Sequence, residues 1–182
     1  MCFARGISSA LTIFVLVVAA AAPALAEASL DIRPNTCPNL IDRYSQGIVT
    51  VALVSDLDFV AARVGINHST LRMRRADGMG GSLQPAFFRR GPQYIDVSAP
   101  SVEGLCSISG PDGIRDLVLF FGQQRLVRNL HLRFLPPDQE ITLCLTGETW
   151  GGTELEFCDD VIVTDFQLFA IDPFGDDDTA LP

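Results

Sequence analysis

The chain reads as an all-β fold, an immunoglobulin-like two-sheet β-sandwich with long glycine- and proline-rich loops. Three observations predict it. Short runs rich in β-branched and aromatic residues recur along the sequence, as in Gly47–Val54 and Asp116–Phe121. Clusters of Gly, Pro, Asn and Asp separate those runs. Sustained helical periodicity is scarce. Short strands punctuated by turns are what two facing sheets need, each burying one face against the other.

The elements follow in order. Leu30 to Pro34 alternates and stops at proline, which cannot donate to a ladder, so a short edge strand is expected. Asn35 to Ser45 reads as a polar loop. Gly47 to Val54, G-I-V-T-V-A-L-V, is the clearest strand, and its continuous apolar run predicts burial on both faces. Asp56 to Gly65 fits a helical turn or a strand. Ser69 to Arg75 alternates Leu71 and Met73 with Arg72 and Arg74, the pattern of a half-exposed strand. Asp77 to Pro92 holds four glycines and two prolines and reads as a long mobile loop. Tyr94 to Val97 is a short strand, Pro100 to Gly113 a loop, and Asp116 to Phe121 a second buried strand. Arg125 to Phe134 alternates imperfectly; a strand is expected, although a helix also fits. Glu140–Thr146 and Glu154–Phe157 form a hairpin around Trp150-Gly151-Gly152, and Val161–Phe169 is the last strand.

The N-terminus has a different logic. Arg5 is the only charge before the apolar run Leu11 to Ala22, which Pro23 and Ala24-Leu25-Ala26 follow. A charged start, an apolar middle and an A-x-A-like exit are the three parts of a secretory signal peptide. The run is about a dozen residues, short of the ~20 a spanning helix needs. Residues 1–26 are therefore expected to be removed, with a single domain over 27–175, an acidic solvated tail over 176–182 carrying Asp176-Asp177-Asp178, and no stable membrane span. An uncleaved anchor is the alternative. Cleavage takes 26 of the 182 residues and leaves 156, enough for one sizeable core. No internal repeat or linker divides them.

The formal charge is −9, and losing Arg5 takes it to −10, because residues 1–26 hold no acid. A domain this acidic repels phosphate backbones, so nucleic acid is an unsuitable partner. The 13 basic residues are all arginine, which removes lysine Schiff-base chemistry. Cys2 leaves with the leader. Cys37, Cys106, Cys144 and Cys158 remain, an even count that reads as two disulfides in an exported chain. Gly151 lies midway between Cys144 and Cys158, so a hairpin would bring that pair face to face. That leaves Cys37 with Cys106. Zinc is the rival reading, without C-x-x-C spacing and with only His68 and His131 as histidines.

The most patterned segment is Cys106-Ser107-Ile108-Ser109-Gly110-Pro111-Asp112-Gly113-Ile114-Arg115-Asp116-Leu117. Its D-G-x-x-D-L matches the second half of a calcium loop, with Asp112 and Asp116 as carboxylate ligands and Gly113 at the sharp turn. Positions 108 and 110, where the first half would place ligands, are Ile and Gly. The other reading is a tight turn entering a strand, with Asp112 bonding local N–H groups. An ion held here would belong to the weak class of extracellular modules. No other cofactor is expected.

Taken in order, Leu30-Asp31-Ile32-Arg33-Pro34-Asn35-Thr36-Cys37-Pro38-Asn39, Gly47–Leu53, Asp112–Leu117, Leu145-Thr146-Gly147 and Cys158-Asp159-Asp160-Val161 resemble a family of small bacterial exported β-domains. That family's pattern runs I-D-I-[KR]-P-x-x-x-P-N, D-G-x-x-D-L and L-T-G. The resemblance implies a stand-alone or repeated β-domain of a secreted or surface protein, without a catalytic role. Members with the fuller D-x-N-x-D-G loop imply calcium. The variant here, C-x-x-x-G-P-D-G, implies a disulfide through Cys106 instead.

No G-x-S-x-G elbow, H-E-x-x-H or phosphate-cradling loop occurs. Trp150, with Tyr94 and Phe87-Phe88, is a candidate platform for sugars, since an exposed indole on a rigid turn suits stacking; packing over the neighbouring disulfide is the alternative. The expected function is a non-enzymatic exported binding or structural module with a protein or glycan partner. A small secreted carbohydrate-binding module or hydrolase is the second reading.

Overall fold

The computed structural model describes residues 29–86, 92–100 and 108–165. The expected leader, Phe87-Phe88, Cys106, the end of the expected last strand and the acidic tail lie outside them. Among the described residues there are eight strands: β1 Ser29–Ile32, β2 Leu40–Asp42, β3 Ile48–Val54, β4 Ile66–Arg75, β5 Gln93–Ile95, β6 Asp116–Gly122, β7 Gln139–Thr149 and β8 Glu154–Thr164. One helix, α1 Gln123–Asn129, and a 3₁₀ turn, Leu132–Phe134, join β6 to β7.

Two four-stranded sheets form, ordered β1-β3-β6-β5 and β2-β8-β7-β4. Every pairing is antiparallel except β2 with β8. With β2 set aside, the remaining seven strands in chain order fall as A-B-E-D on one sheet and G-F-C on the other. This is the immunoglobulin arrangement. The fold class read from the sequence is therefore the fold class found. The disulfide described here joins neighbouring strands β7 and β8, with Trp150 in their connecting turn, rather than bridging the two sheets beside a buried tryptophan as in antibody domains.

Alternation builds the core. β3 and β6 set Val49, Val51 and Leu53 beside Phe121, Leu119 and Leu117 in register, all buried. Leu71, Met73, Leu143, Leu145, Val161 and Val163 from the second sheet belong to the same cluster. Each such side chain contributes roughly 1.5–3 kcal/mol relative to exposure. Ala52, Val54 and Val118, on the opposite faces of β3 and β6, are buried too, as the continuous apolar run predicts.

Several local expectations are corrected. Arg125–Phe134 is not a strand. Leu126, Val127 and Leu130 are buried while Arg125 and Arg128 are exposed, a period near 3.6 that makes a helix. Leu40–Asp42, inside the expected loop, is a strand. It forms through long-range parallel pairing with β8, which no local signal announces. Glu154–Phe157 and Val161–Phe169 are not two strands over the described residues, because β8 runs unbroken from Glu154 to Thr164. The acids Asp159 and Asp160 disguised its middle. Asp56–Gly65 is a run of turns, neither helix nor strand.

The glycine loop after β4 is tied down over its described part. Leu83 and Met73 exchange backbone hydrogen bonds at 2.8 and 2.9 Å. Gly81 donates its N–H to Asn129 O at 2.8 Å. Gly80 has φ +79°, and a Cβ there would stand 2.8 Å from the Leu130 carbonyl carbon. Only glycine allows the loop to lie so close to the end of α1.

Two buried arginines fix the same end. Arg43 donates through Nε and Nη2 to the Asp165 carboxylate, and through Nη1 to Arg133 O and Leu135 O. It fastens the chain after β2 to the end of β8 and to the 3₁₀ turn. Arg75 is paired with Asp77 and reaches Leu130 O.

Candidate functional site

The β3–β4 and β7–β8 connections meet at one end of the sandwich, where β6 begins, the end that carries recognition loops in variable domains. The β7–β8 turn is short and well bonded. Thr149 N–H donates to Thr153 O at 2.9 Å and Gly152 N–H to Thr149 O at 3.0 Å. Thr153 N–H donates to Thr149 Oγ1 at 3.1 Å, and Gly152 takes φ +81°. Trp150 N–H donates to Gly65 O at 2.8 Å, locking the turn to the β3–β4 connection. The backbone of Trp150 is thus fixed while its side chain is 75% exposed. Leu57, on the β3–β4 connection, is 92% exposed. That connection is anchored beneath by Phe59, whose ring meets Phe157 at 5.5 Å, and by Asp56 Oδ1, which accepts from Asp58 and Phe59 N–H.

Below the turn, Cys144 and Cys158 are directly opposite in the ladder and disulfide-bonded, as the hairpin predicts. Four ladder steps, about 13 Å at the usual rise, separate them from Glu148 and Glu154, the last pair before the turn. The expected alternative, Trp150 packed over that disulfide, is excluded by this spacing together with the exposure of the ring. Glu156 lies near both sulfurs, but the disulfide removes them as metal ligands. Cys37 is also disulfide-bonded, and Cys106 lies outside the described residues.

A groove of about 380 Å³ runs beside the hairpin, lined by Thr70, Arg74, Thr146, Glu148, Glu154 and Glu156 among others. Arg74 is paired with Glu156 at 2.6 Å. Glu148 and Glu154 face each other across the two strands. Gly147 admits Leu71 beneath the groove at the bulge of β4; a Cβ there would stand 2.8 Å from Leu71 Cδ2.

Asp112 and Asp116 have different surroundings. Asp112 is exposed, and its Oδ1 accepts from Ile114 N–H at 2.8 Å, a local turn. Asp116 is fully buried. Its Oδ1 accepts from Ser55 N–H, and its Oδ2 from Val97 and Ser98 N–H, at 2.9 to 3.1 Å. Burial pushes the Asp116 carboxyl above the ordinary range, and those three donors pull it back. Asp96 accepts from Asp112 and Gly113 N–H, holding the turn.

Sequence reasoning missed a second set of acids. Asp31, buried on β1, accepts from Ser98 Oγ at 2.5 Å. Asp159, half-buried on β8, accepts from Ile32 N–H at 2.7 Å and Asn39 Nδ2 at 2.9 Å through Oδ2, and from Asp160 N–H through Oδ1. It thereby joins the edge of the first sheet to the second, where the chain crosses from β1 to β2. Burial lifts its carboxyl to about 6, with the negative charges of Asp31 and Asp160 adding to the rise. Asp31 is raised by burial and, less, by Asp116. The available signal was the strand alternation itself, which places position 159 on the inner face with Leu155, Phe157 and Val161.

Both histidines are accounted for by neighbours. His68 Nε2 lies 3.0 Å from Tyr94 OH, and burial lowers its pKa. His131 is exposed against Phe134, edge to face at 5.8 Å. Comparison with protein-family models, curated proteins and solved structures finds no match. Among the described residues no helix is long and apolar enough to cross a membrane.

Proposed function

We propose that this chain is a non-enzymatic β-sandwich module acting outside the cytoplasm, at the cell surface or in the periplasm, and that the loop end bearing Trp150 is its contact surface. The observation that carries this reading is Trp150: backbone fixed by the turn and by Gly65, side chain three-quarters in solvent. A rigid exposed indole needs little ordering on contact, and tryptophan is among the residues that dominate binding energy. The Cys144–Cys158 disulfide supports an oxidising compartment. The signal-like start and the resemblance to exported β-domains support export.

A glycan partner is the second reading, favoured by the groove beside the turn. An indole face and the Glu148 and Glu154 carboxylates together offer stacking and hydroxyl acceptors. The test is Trp150→Ala, compared with the native chain on a glycan array and in cross-linking at the cell surface. The reading expects a lost contact with unchanged thermal stability. A contact partner captured equally well by both proteins would overturn it.

A further inference from the structure

Alternation along β7 and β8 sends Leu143, Leu145, Phe157 and Asp159 inward, so Cys144 and Cys158 stand on the outer face of the second sheet. Their disulfide lies apart from the core. It joins two neighbours already paired over ten positions, from Gln139 with Val163 to Glu148 with Glu154. The two cysteines are not equivalent. Cys144 is 1% exposed, on a strand with neighbours on both sides, whereas Cys158 is exposed. Because β7 lies between β4 and β8, the Arg74–Glu156 ion pair crosses over it. Arg74 is the register partner of Cys144, and Glu156 Oε1 lies 4.0 Å from Cys158 Sγ. A cation beside Cys144 and an anion beside Cys158 thus flank the bond.

We propose that this disulfide is a reversible thiol-exchange site, and that Cys158 is the sulfur attacked. Exposed disulfides are the labile ones; access decides which sulfur is attacked, and a leaving thiolate held at low pKa departs faster. A neighbouring arginine lowers a thiol's pKa. An external thiolate therefore reaches Cys158 Sγ. A new S–S bond forms there while the Cys144–Cys158 bond breaks. The electron pair of the broken bond stays on Cys144 Sγ, beside Arg74, and that thiolate then takes a proton from water. The reductant's second thiol, deprotonated, attacks its own sulfur in the mixed disulfide and releases Cys158 as a thiolate, which takes the second proton. The chain gains two electrons and two protons, and the reductant leaves as a disulfide. A dithiol protein supplies both thiols, and two molecules of a small monothiol do the same work. The ladder holds β7 against β8 throughout, so the two thiols stay opposite each other and an oxidant closes the bond again.

The experiment incubates the oxidised chain, as purified after export, with reduced glutathione and, in a second arm, with a Cys-x-x-Cys dithiol protein, without denaturant. Acid quenching, differential alkylation and peptide mass mapping follow Cys144 and Cys158 separately from Cys37. Both cysteines are expected to open together, and the reduced chain to unfold cooperatively in urea. Oxidised glutathione is expected to close the bond again. Arg74→Met keeps the cover over β7 but removes the charge beside the leaving sulfur, and is expected to slow opening. Glu156→Gln removes the anion beside Cys158 and is expected to speed it, each by about two- to fivefold. In the single variants Cys144→Ser and Cys158→Ser, oxidised glutathione is expected to label Cys158 at least about tenfold faster than Cys144. If either serine variant fails to fold, the opposite signs of Arg74→Met and Glu156→Gln, which both keep the disulfide, decide the matter. Faster opening by the dithiol protein at equal thiol concentration assigns a protein reductant; faster opening by glutathione assigns a small thiol. A bond that opens only in denaturant, glutathione carried on Cys144 in place of Cys158, or charge variants that open at the native rate would overturn the proposal.

Discussion

Asp159 gives the fold an unusual dependence on pH. Its carboxyl sits near 6 in the folded chain against 3.8 as a free side chain, chiefly through burial. An acid raised on folding binds its proton more readily in the native state. Between about pH 4 and pH 6 the folded chain therefore holds more protons than the unfolded one, and stability falls as pH rises through that window. The contribution is fully present below pH 4 and gone above pH 6. A shift of about two units corresponds to a ceiling of about 3 kcal/mol; partial solvent access reduces this to about 1–2 kcal/mol. Asp31 and Asp116, also raised by burial, act in the same direction. Urea unfolding at pH 7.5, 6, 5 and 4.5 measures the effect. The native chain is expected to gain stability on acidification across the window, whereas Asp159→Asn flattens the slope. Asp159→Ala, which leaves Ile32 N–H and Asn39 without their acceptor, is expected to lose about 2–4 kcal/mol, most at the acid end of the window where the native chain is most stable. Native stability that falls steadily from pH 7.5, with the same slope in Asp159→Asn, would refute the reasoning.

Other perturbations have equally definite outcomes. Replacing Cys144 and Cys158 together with serine opens a loop of 14-residue separation and is expected to lower stability by about 3 kcal/mol in urea unfolding. Arg43→Met leaves Asp165 and two backbone carbonyls without their donor, with an expected loss of about 3–5 kcal/mol by thermal denaturation. Gly80→Ala meets both a positive φ and the Leu130 backbone, and is expected to cost about 1–3 kcal/mol in the same assay. Trp150→Ala removes a side chain that is mostly in solvent and is expected to change stability by less than about 0.5 kcal/mol.

What the sequence made legible was whatever local periodicity encodes. The alternation of Leu71 and Met73 with arginines, the runs of β3 and β6, and the spacing of Cys144 and Cys158 about Gly151 all correspond to real elements. What it hid depends on distant partners. Leu40–Asp42 is a strand only because β8 lies beside it. Asp159 interrupts an apolar pattern, and is tolerated there because Ile32 N–H and Asn39 Nδ2, over a hundred residues away, donate to its carboxylate. Gly78–Gly81 reads as a free loop until the end of α1 is placed against it. Asp112 and Asp116 share one sequence motif, yet one is exposed in a turn and the other is buried beneath Ser55, Val97 and Ser98.

Trp150 is the single tryptophan of the chain, so its fluorescence reports directly on the proposed contact surface. In dilute solution the emission is expected to be red-shifted, close to that of free tryptophan, and acrylamide is expected to quench it almost as freely. A blue-shifted emission protected from quencher in the dilute monomer would mean that the indole is packed into the fold, and would contradict the assignment of the loop end as the contact surface.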